Sequence, residues 1–357
     1  AARLVAALEA AGAERVETDI LQPAGTLLDL YGEDIRARAY VTQDPLRGER
    51  MLRPDFTVPV VQMHMGSGRA AARYTYAGEV FRRQEEDPAR PSEYIQVGYE
   101  VFDTGDPAAA DAEVFARVRD LLGPGPFRPA TGDIGILMAA TRGLATTEAR
   151  RAALLRHIWR PRRYRALLER YTGRAPVPES RRTLLATVAS GQDPFAGAAP
   201  EIGLRARAEI AARIAALAAD AAEPPIAAAE AALIDDLLSL KAPLPEALSR
   251  LRDLAVDLPA IAEAVDRLAR RIAALDAQGV AVAGIGFEGS YGRTSMEYYD
   301  GFVFGFSLPG RPDLSPVATG GRYDALTRQL GQGRAAPAVG GVIRPGLLID
   351  HGEASCG

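Results

Sequence analysis

The sequence predicts an α+β fold: a mainly antiparallel sheet flanked by helices and interrupted by an all-helical module. Three observations predict it. Strand-like alternation recurs in two separated blocks, residues 74–102 and the stretch after Val280. Between them, residues 146–278 are rich in alanine and arginine, with leucine or isoleucine three and four residues apart. The chain has 357 residues, more than one compact core usually holds, so two structural units are expected. The sheet-bearing core would then comprise residues 1–145 and 279–357, and the insertion residues 146–278.

In chain order, residues 1–11 have helical spacing that Gly12 stops, and Val16–Leu21 is a short strand candidate. Tyr40–Gln43 precedes Arg53-Pro54-Asp55-Phe56-Thr57. Pro54 biases Arg53 toward an extended conformation, which places Asp55 and Thr57 at a strand-to-helix junction before a buried helix over Val58–Met65. Capping of that helix is a sufficient role for both. Tyr74–Arg82 and Tyr94–Phe102 flank a charged, proline-containing loop and read as an antiparallel hairpin. In the second strand Ile95, Val97, Tyr99 and Val101 share one face, and Gln96, Gly98 and Glu100 the other. An amide, a missing side chain and a carboxylate in succession suit a small polar ligand, with Gly98 supplying the space. A half-solvated sheet face accounts for the same pattern.

Asp111–Leu122 is helical by period, and the run GPGPFRP over Gly123–Pro129 ends it before another periodic segment at Ile134–Arg142. Within the insertion, Arg205–Ala219 and Ile261–Ala277 are the clearest helices, with breaks at Pro176/Pro178 and Pro224/Pro225. Its arginines are expected on solvated faces. Gly284, Gly286 and Gly289 match GxGxxG, but strand-like residues follow where a dinucleotide site needs a helix, so the match carries no nucleotide site. In Glu297–Phe306, Phe302, Phe304 and Phe306 fall on one face with Tyr298, and Tyr299, Gly301, Val303 and Gly305 on a second roomy face. Thr319–Asp324 leads into a helix at Ala325–Leu330, and Pro337–Ile343 is a glycine-containing strand.

With 42 basic and 46 acidic residues, the net charge of −4 predicts no general attraction to nucleic acid or to an anionic membrane. No apolar run approaches membrane-spanning length, and no signal-like segment stands at the start. The single cysteine, Cys356, forms no intramolecular disulfide, and His64, His157 and His351 are scattered without zinc-ligand spacing. A cytoplasmic protein without a metal is the expectation.

Five words in one order carry a family resemblance: Arg53-Pro54-Asp55-Phe56-Thr57; Phe81-Arg82 with Gln96 and Glu100; Met296-Glu297-Tyr298-Tyr299-Asp300-Gly301; Gly320-Gly321-Arg322-Tyr323-Asp324; and Pro337-Ala338-Val339-Gly340. Over nearly the whole chain they resemble the catalytic core of histidyl-tRNA synthetase, and the Tyr-Tyr pair before Gly301 marks the histidine branch. The resemblance implies a class II aminoacyl-tRNA synthetase-like core. It also implies a histidine pocket in which Glu100 accepts the ring N–H, Tyr299 and Tyr323 offer hydroxyls and ring edges, Asp55, Thr57 and Gln96 hold the amino group, and Arg82 meets the carboxylate.

The departures fall on phosphate handling. Gln84 replaces an acidic residue of the second class motif, and Asp19 the proline of the first. Thr294 stands where an arginine is expected, with Arg293 one position out of register, and Leu347 replaces the arginine that clamps ATP phosphates. A hydrocarbon cannot neutralise a phosphate, so no catalytic residue and no cofactor are assigned. The sequence ends ten residues after Leu347, so no anticodon-binding domain and no tRNA partner are expected. This combination resembles the regulatory subunits of ATP phosphoribosyltransferase. That resemblance implies a non-catalytic subunit acting with a short-form catalytic subunit at the first step of histidine biosynthesis, binding histidine for feedback, and dimeric within a hetero-oligomer. Two other readings stay open: a decayed pocket that merely keeps the fold, and a histidyl-tRNA synthetase or synthetase-like amino-acid ligase.

Overall fold

A computed structural model describes residues 1–31, 35–84, 90–198, 202–293 and 298–354. Expectations that rest on Thr294, Met296, Glu297 and Cys356 lie outside these residues.

Helix α1 (Ala2–Ala10) buries Leu4, Val5 and Leu8, and Gly12 follows it at φ 93°, a conformation open to glycine. The strand expected over Val16–Leu21 is two pieces instead, β1 (Glu14–Arg15) and β2 (Leu21–Pro23), in different sheets. The chain leaves one sheet for the other between them, so its alternation is never satisfied by a single ladder. After α2 (Ala24–Tyr31) and α3 (Ile35–Arg38), β3 (Val41–Asp44) and β4 (Gly48–Leu52) complete a small antiparallel sheet of order β2-β4-β3. Helix α4 (Thr57–Ser67) buries Val58, Val60, Val61 and Met65 on successive sides and stops at Gly68, φ 72°.

The expected hairpin is present as β5 (Ala72–Phe81) and β6 (Glu93–Phe102), with Gly78 opposite Gln96, Tyr76 opposite Gly98 and Tyr74 opposite Glu100. Helix α5 (Pro107–Leu122) starts on an Asp106 carboxylate that accepts the Ala108 N–H at 2.9 Å, with Pro107 in the first helical position. β7 (Arg128–Asp133) and α6 (Ile134–Gly143) follow.

The middle of the chain contains α7 (Glu148–Arg156), α8 (Pro161–Tyr171), α9 (Glu179–Ala189), α10 (Arg207–Ala222), α11 (Ala228–Ser239), α12 (Leu244–Asp257) and α13 (Ala262–Ala277). It is not all-helical. Lys241–Pro243 forms β8, which pairs antiparallel with β9 (Gly286–Glu288) and extends the core sheet. Nor are all its arginines solvated. Arg271 of α13 is buried, donating from Nε to Asp111 Oδ2 at 2.7 Å and from Nη1 to Asp133 Oδ2 at 2.9 Å, which ties α13 to α5 and β7. Arg150, also buried, holds Asp220 and the Pro224 carbonyl at 2.7 Å each. Two charges that a sequence places on a helix surface are structural ties here, stable because each buried guanidinium is paired.

β10 (Phe302–Ser307), β11 (Ala318–Arg322), α14 (Asp324–Leu330), β12 (Ala338–Ile343) and α15 (Pro345–Ala354) close the fold. The large sheet has nine strands in the order β1-β5-β6-β12-β11-β10-β7-β9-β8, antiparallel except at β1/β5 and β7/β9. Phe302, Phe304 and Phe306 pack against Phe115 of α5 in tilted or edge-on contacts, with ring centroids 6.4, 5.3 and 5.0 Å away. Helices therefore cover that sheet face, and the opposite face is free to hold a site. Gly286 lies within β9, and the next described residues are turns, so the GxGxxG match has no helix behind it. Among the described residues no helix is long and apolar enough to cross a membrane.

Candidate functional site

The open face of β6, β12 and β11 forms the floor of a cavity of about 520 Å³. Asp55, Thr57, Arg82, Gln96, Glu100, Tyr299 and Tyr323 all line it, although they come from five separate stretches of chain. Gln96 and Glu100 are buried, which rules out a half-solvated face.

Glu100 is at the centre. Its Oε1 accepts from the Tyr76 hydroxyl at 2.8 Å and the Thr57 hydroxyl at 3.1 Å, and its Oε2 from the Tyr323 hydroxyl at 2.6 Å. Burial raises its pKa to about 7, against the lowering effect of those three donors, and nearby Asp55 adds to the rise. A carboxylate offers roughly four acceptor positions, so one is left for an incoming N–H. Gly340 makes the arrangement possible: it sits opposite Glu100 in the ladder, and a Cβ there would overlap Oε2. Burial and Glu100 together raise the pKa values of Tyr299 and Tyr323, so both stay protonated donors.

Gln96 is different. Both its amide nitrogen and its amide oxygen are buried without a hydrogen-bond partner. Each such vacancy costs about 1–3 kcal/mol in a closed protein, so the side chain is built to meet something that enters the cavity. Asp55 does cap α4, accepting the Val58 N–H at 3.3 Å, but Thr57 does not cap; its hydroxyl is turned to Glu100. Arg82 is steadied by its Nε, which donates to the Pro54 carbonyl at 2.8 Å.

The space attributed to glycines is largely filled by the chain itself. A Cβ at Gly98 would fall inside the Tyr76 ring, and one at Gly305 would meet the Tyr291 hydroxyl. Gly98 therefore makes room for Tyr76, which stacks on Phe56 with centroids 4.3 Å apart, and not for a ligand. Tyr298 also departs from the sequence reading. Tyr298–Gly301 is not strand, so the alternation does not reach it, and Tyr298 lines the cavity, its ring 6.0 Å from that of Tyr323.

Residues missed from sequence are Tyr76, Tyr298 and Arg344. Tyr76 was legible in principle, since it shares a face with the glycine opposite it. Arg344 follows β12 directly and lines the cavity, whereas Leu347 is not part of the lining. Gln84 turns to the Pro91 carbonyl at 3.2 Å across the hairpin neck. Arg293 is engaged elsewhere, its Nε donating to the Ile158 carbonyl at 2.7 Å with its guanidinium over Tyr164. Nearby, Trp159 Nε1 donates to the Tyr299 carbonyl at 2.9 Å, so the α7–α8 turn grips the segment that presents Tyr299. Among the described residues, no group of three or more His, Cys, Asp or Glu is placed to hold a metal ion.

The histidyl-tRNA synthetase family profile matches residues 1–222 and 201–345 of the chain. An ATP phosphoribosyltransferase regulatory subunit of Brucella anthropi is 32% identical over 360 residues, covering 94% of this chain and 93% of that protein. The chain belongs to the ATP phosphoribosyltransferase regulatory subunit family. A second member, from Brucella canis, is 32% identical over 353 residues, covering 93% of this chain and 92% of its own. Among solved structures, an ATP phosphoribosyltransferase regulatory subunit/histidyl-tRNA synthetase from Bacillus halodurans superposes with a TM-score of 0.66 at 21% identity, covering 98% of this chain and 77% of that one. A histidine–tRNA ligase subunit from Alicyclobacillus acidocaldarius gives 0.61 at 22% identity, covering 99% and 92%. These two share the class II synthetase-like fold. Membership of the regulatory subunit family favours a regulatory protein over a charging enzyme, and histidine biosynthesis as its setting.

Proposed function

We propose that this regulatory subunit binds histidine in the Glu100 cavity and, joined to a short-form catalytic subunit in the cytoplasm, controls phosphoribosyl transfer to ATP without activating an amino acid itself. The observation that carries the reading is the buried Gln96 amide, unpartnered at both ends beside a carboxylate with one acceptor position left. A neutral imidazole N–H fits that position, and Asp55 suits an ammonium group. A decayed pocket would have little reason to keep a buried amide without a protein partner on the same strand face as Glu100. Loss of adenylation follows from Leu347, which leaves the cavity without the phosphate-clamping arginine.

The subunit would pair with itself through the small sheet. Leu21 and Val41 of that sheet, with Ile20 and Tyr40 beside them, are 38–44% exposed, an apolar group that a second copy would cover. Mixing the chain with a short-form catalytic subunit and measuring phosphoribosyl transfer with and without histidine tests the proposal. Assembly, activation and inhibition by histidine are expected; histidine-dependent ATP–pyrophosphate exchange by the chain alone would instead establish a ligase.

A further inference from the structure

Arg344 carries a cation into the cavity that the family words do not include. Its Nη1 donates to the Pro316 carbonyl at 2.6 Å and its Nη2 to the Thr319 hydroxyl at 3.2 Å, both neutral acceptors. Among the described residues no carboxylate pairs with it. The Tyr94 hydroxyl is a further neutral partner, and a guanidinium has five N–H donors, so donors remain for an incoming anion. Burial and neighbouring Arg82 both lower its pKa, as befits a cation with no anion to offset it. The other acids of the cavity are engaged or remote: Glu288 pairs with Lys241 at 2.8 Å, and Asp55 and Glu100 stand together on the acidic side.

The sheet register fixes where this cation lies. β12 pairs with β6 so that Gly340 is opposite Glu100 and Ile343 opposite Val97; the next step sets Arg344 beside Gln96. The guanidinium without a carboxylate partner and the unpartnered amide are thus on neighbouring positions of two strands, about 5 Å apart at the backbone. Glu100 is four residues along β6, about 13 Å from that row before its side chain leans in. Asp55 stands near Glu100 and Arg82 near Arg344, so an acidic pair and a basic pair line one cavity, as a small zwitterion requires.

We propose that Arg344, next to Gln96, receives the α-carboxylate of the amino-acid ligand. The assignment rests on the histidine reading above and moves the anion-binding role from Arg82 to a residue three positions before Leu347. Arg344 would thereby set specificity for an intact amino acid over its amine or ester.

Calorimetric titration of wild type, Arg344→Met and Arg344→Lys with L-histidine, histamine, histidine methyl ester and inorganic phosphate tests this. A charge-assisted pair predicts a loss of roughly 10- to 100-fold in histidine affinity for Arg344→Met, a smaller loss for Arg344→Lys, and no change for histamine. Wild type should disfavour the methyl ester by the same factor, a comparison that holds even if Arg344→Met does not fold. Wild-type histidine affinity in a folded Arg344→Met protein would overturn the assignment and leave the histidine reading standing. No histidine binding by wild type would overturn both. Equal losses for histidine and histamine would reduce Arg344 to a structural role. Phosphate binding tighter than histidine and abolished in Arg344→Met would make the site one for a phosphate anion.

Discussion

Gly340→Ala isolates the geometry on which the site depends. The new Cβ would overlap Glu100 Oε2 and stand 2.5 Å from its Cδ, so the end of that side chain has to give way. The carboxylate must swing off β12, and the Tyr323 bond at 2.6 Å, made by the same Oε2, breaks first. Losing one hydrogen bond to a charged acceptor costs roughly 1.5–3 kcal/mol, and overpacking adds about 1–3 kcal/mol. A destabilisation of about 2.5–6 kcal/mol is therefore expected, read by guanidinium unfolding followed by circular dichroism. Histidine binding should be lost in the same variant. The cost should shrink in a Glu100→Ala background, because the clashing group is gone and the two changes cannot add. A Gly340→Ala protein within about 0.5 kcal/mol of wild type, with histidine affinity intact, would refute the placement of Glu100 against β12.

Four further outcomes follow from the same side chains. Glu100 has its pKa raised from 4.5 to about 7, so its contribution to stability is full below 4.5 and is lost as pH rises through 7. That window is worth about 3 kcal/mol, and unfolding of Glu100→Gln between pH 4 and 8 should show a flatter profile there. His64 behaves oppositely: burial lowers its pKa from 6.5 to about 4, so stability present above 6.5 is lost as pH falls through 4. His64→Phe, which can keep the stack on Phe102, should remove that acid limb from the same measurements. Trp159 is the sole tryptophan and bonds the Tyr299 carbonyl, so its emission should shift on saturation with histidine; a flat titration under conditions of demonstrated binding would detach the α7–α8 turn from the site. Arg271→Met strands Asp133 in the interior and should cost about 3–5 kcal/mol in thermal or denaturant unfolding, whereas a solvated arginine would cost almost nothing.

Period-two alternation made β6 legible and put Gln96 and Glu100 on one face, but it left a half-solvated face equally open, and their place in a histidine pocket rests on the family resemblance. The same rule failed where it was extended past its element. Tyr298 falls with the phenylalanines only if the alternation is started at Glu297, five residues before the ladder that begins at Phe302. A glycine shows where a side chain is missing, but not which neighbour occupies the vacancy, so Gly98 was read as ligand space although Tyr76 fills it. β8 was invisible because Lys-Ala-Pro is three residues long and has no alternation to detect. Arg271 and Arg150 carry no sequence sign of burial, since their partners Asp111, Asp133 and Asp220 are distant in sequence. Arg344 is hidden for a related reason: the lost charge falls at Leu347, and the charge gained three residues earlier lies outside the family words.

The most direct test of the central claim is equilibrium binding of L-histidine to the isolated chain, wild type beside Glu100→Gln. One saturable site per chain is predicted, weakened roughly 10- to 100-fold in Glu100→Gln, the factor expected when a charged hydrogen-bond acceptor is neutralised. Absence of saturable binding by wild type, or equal affinity in the two proteins, would contradict the account.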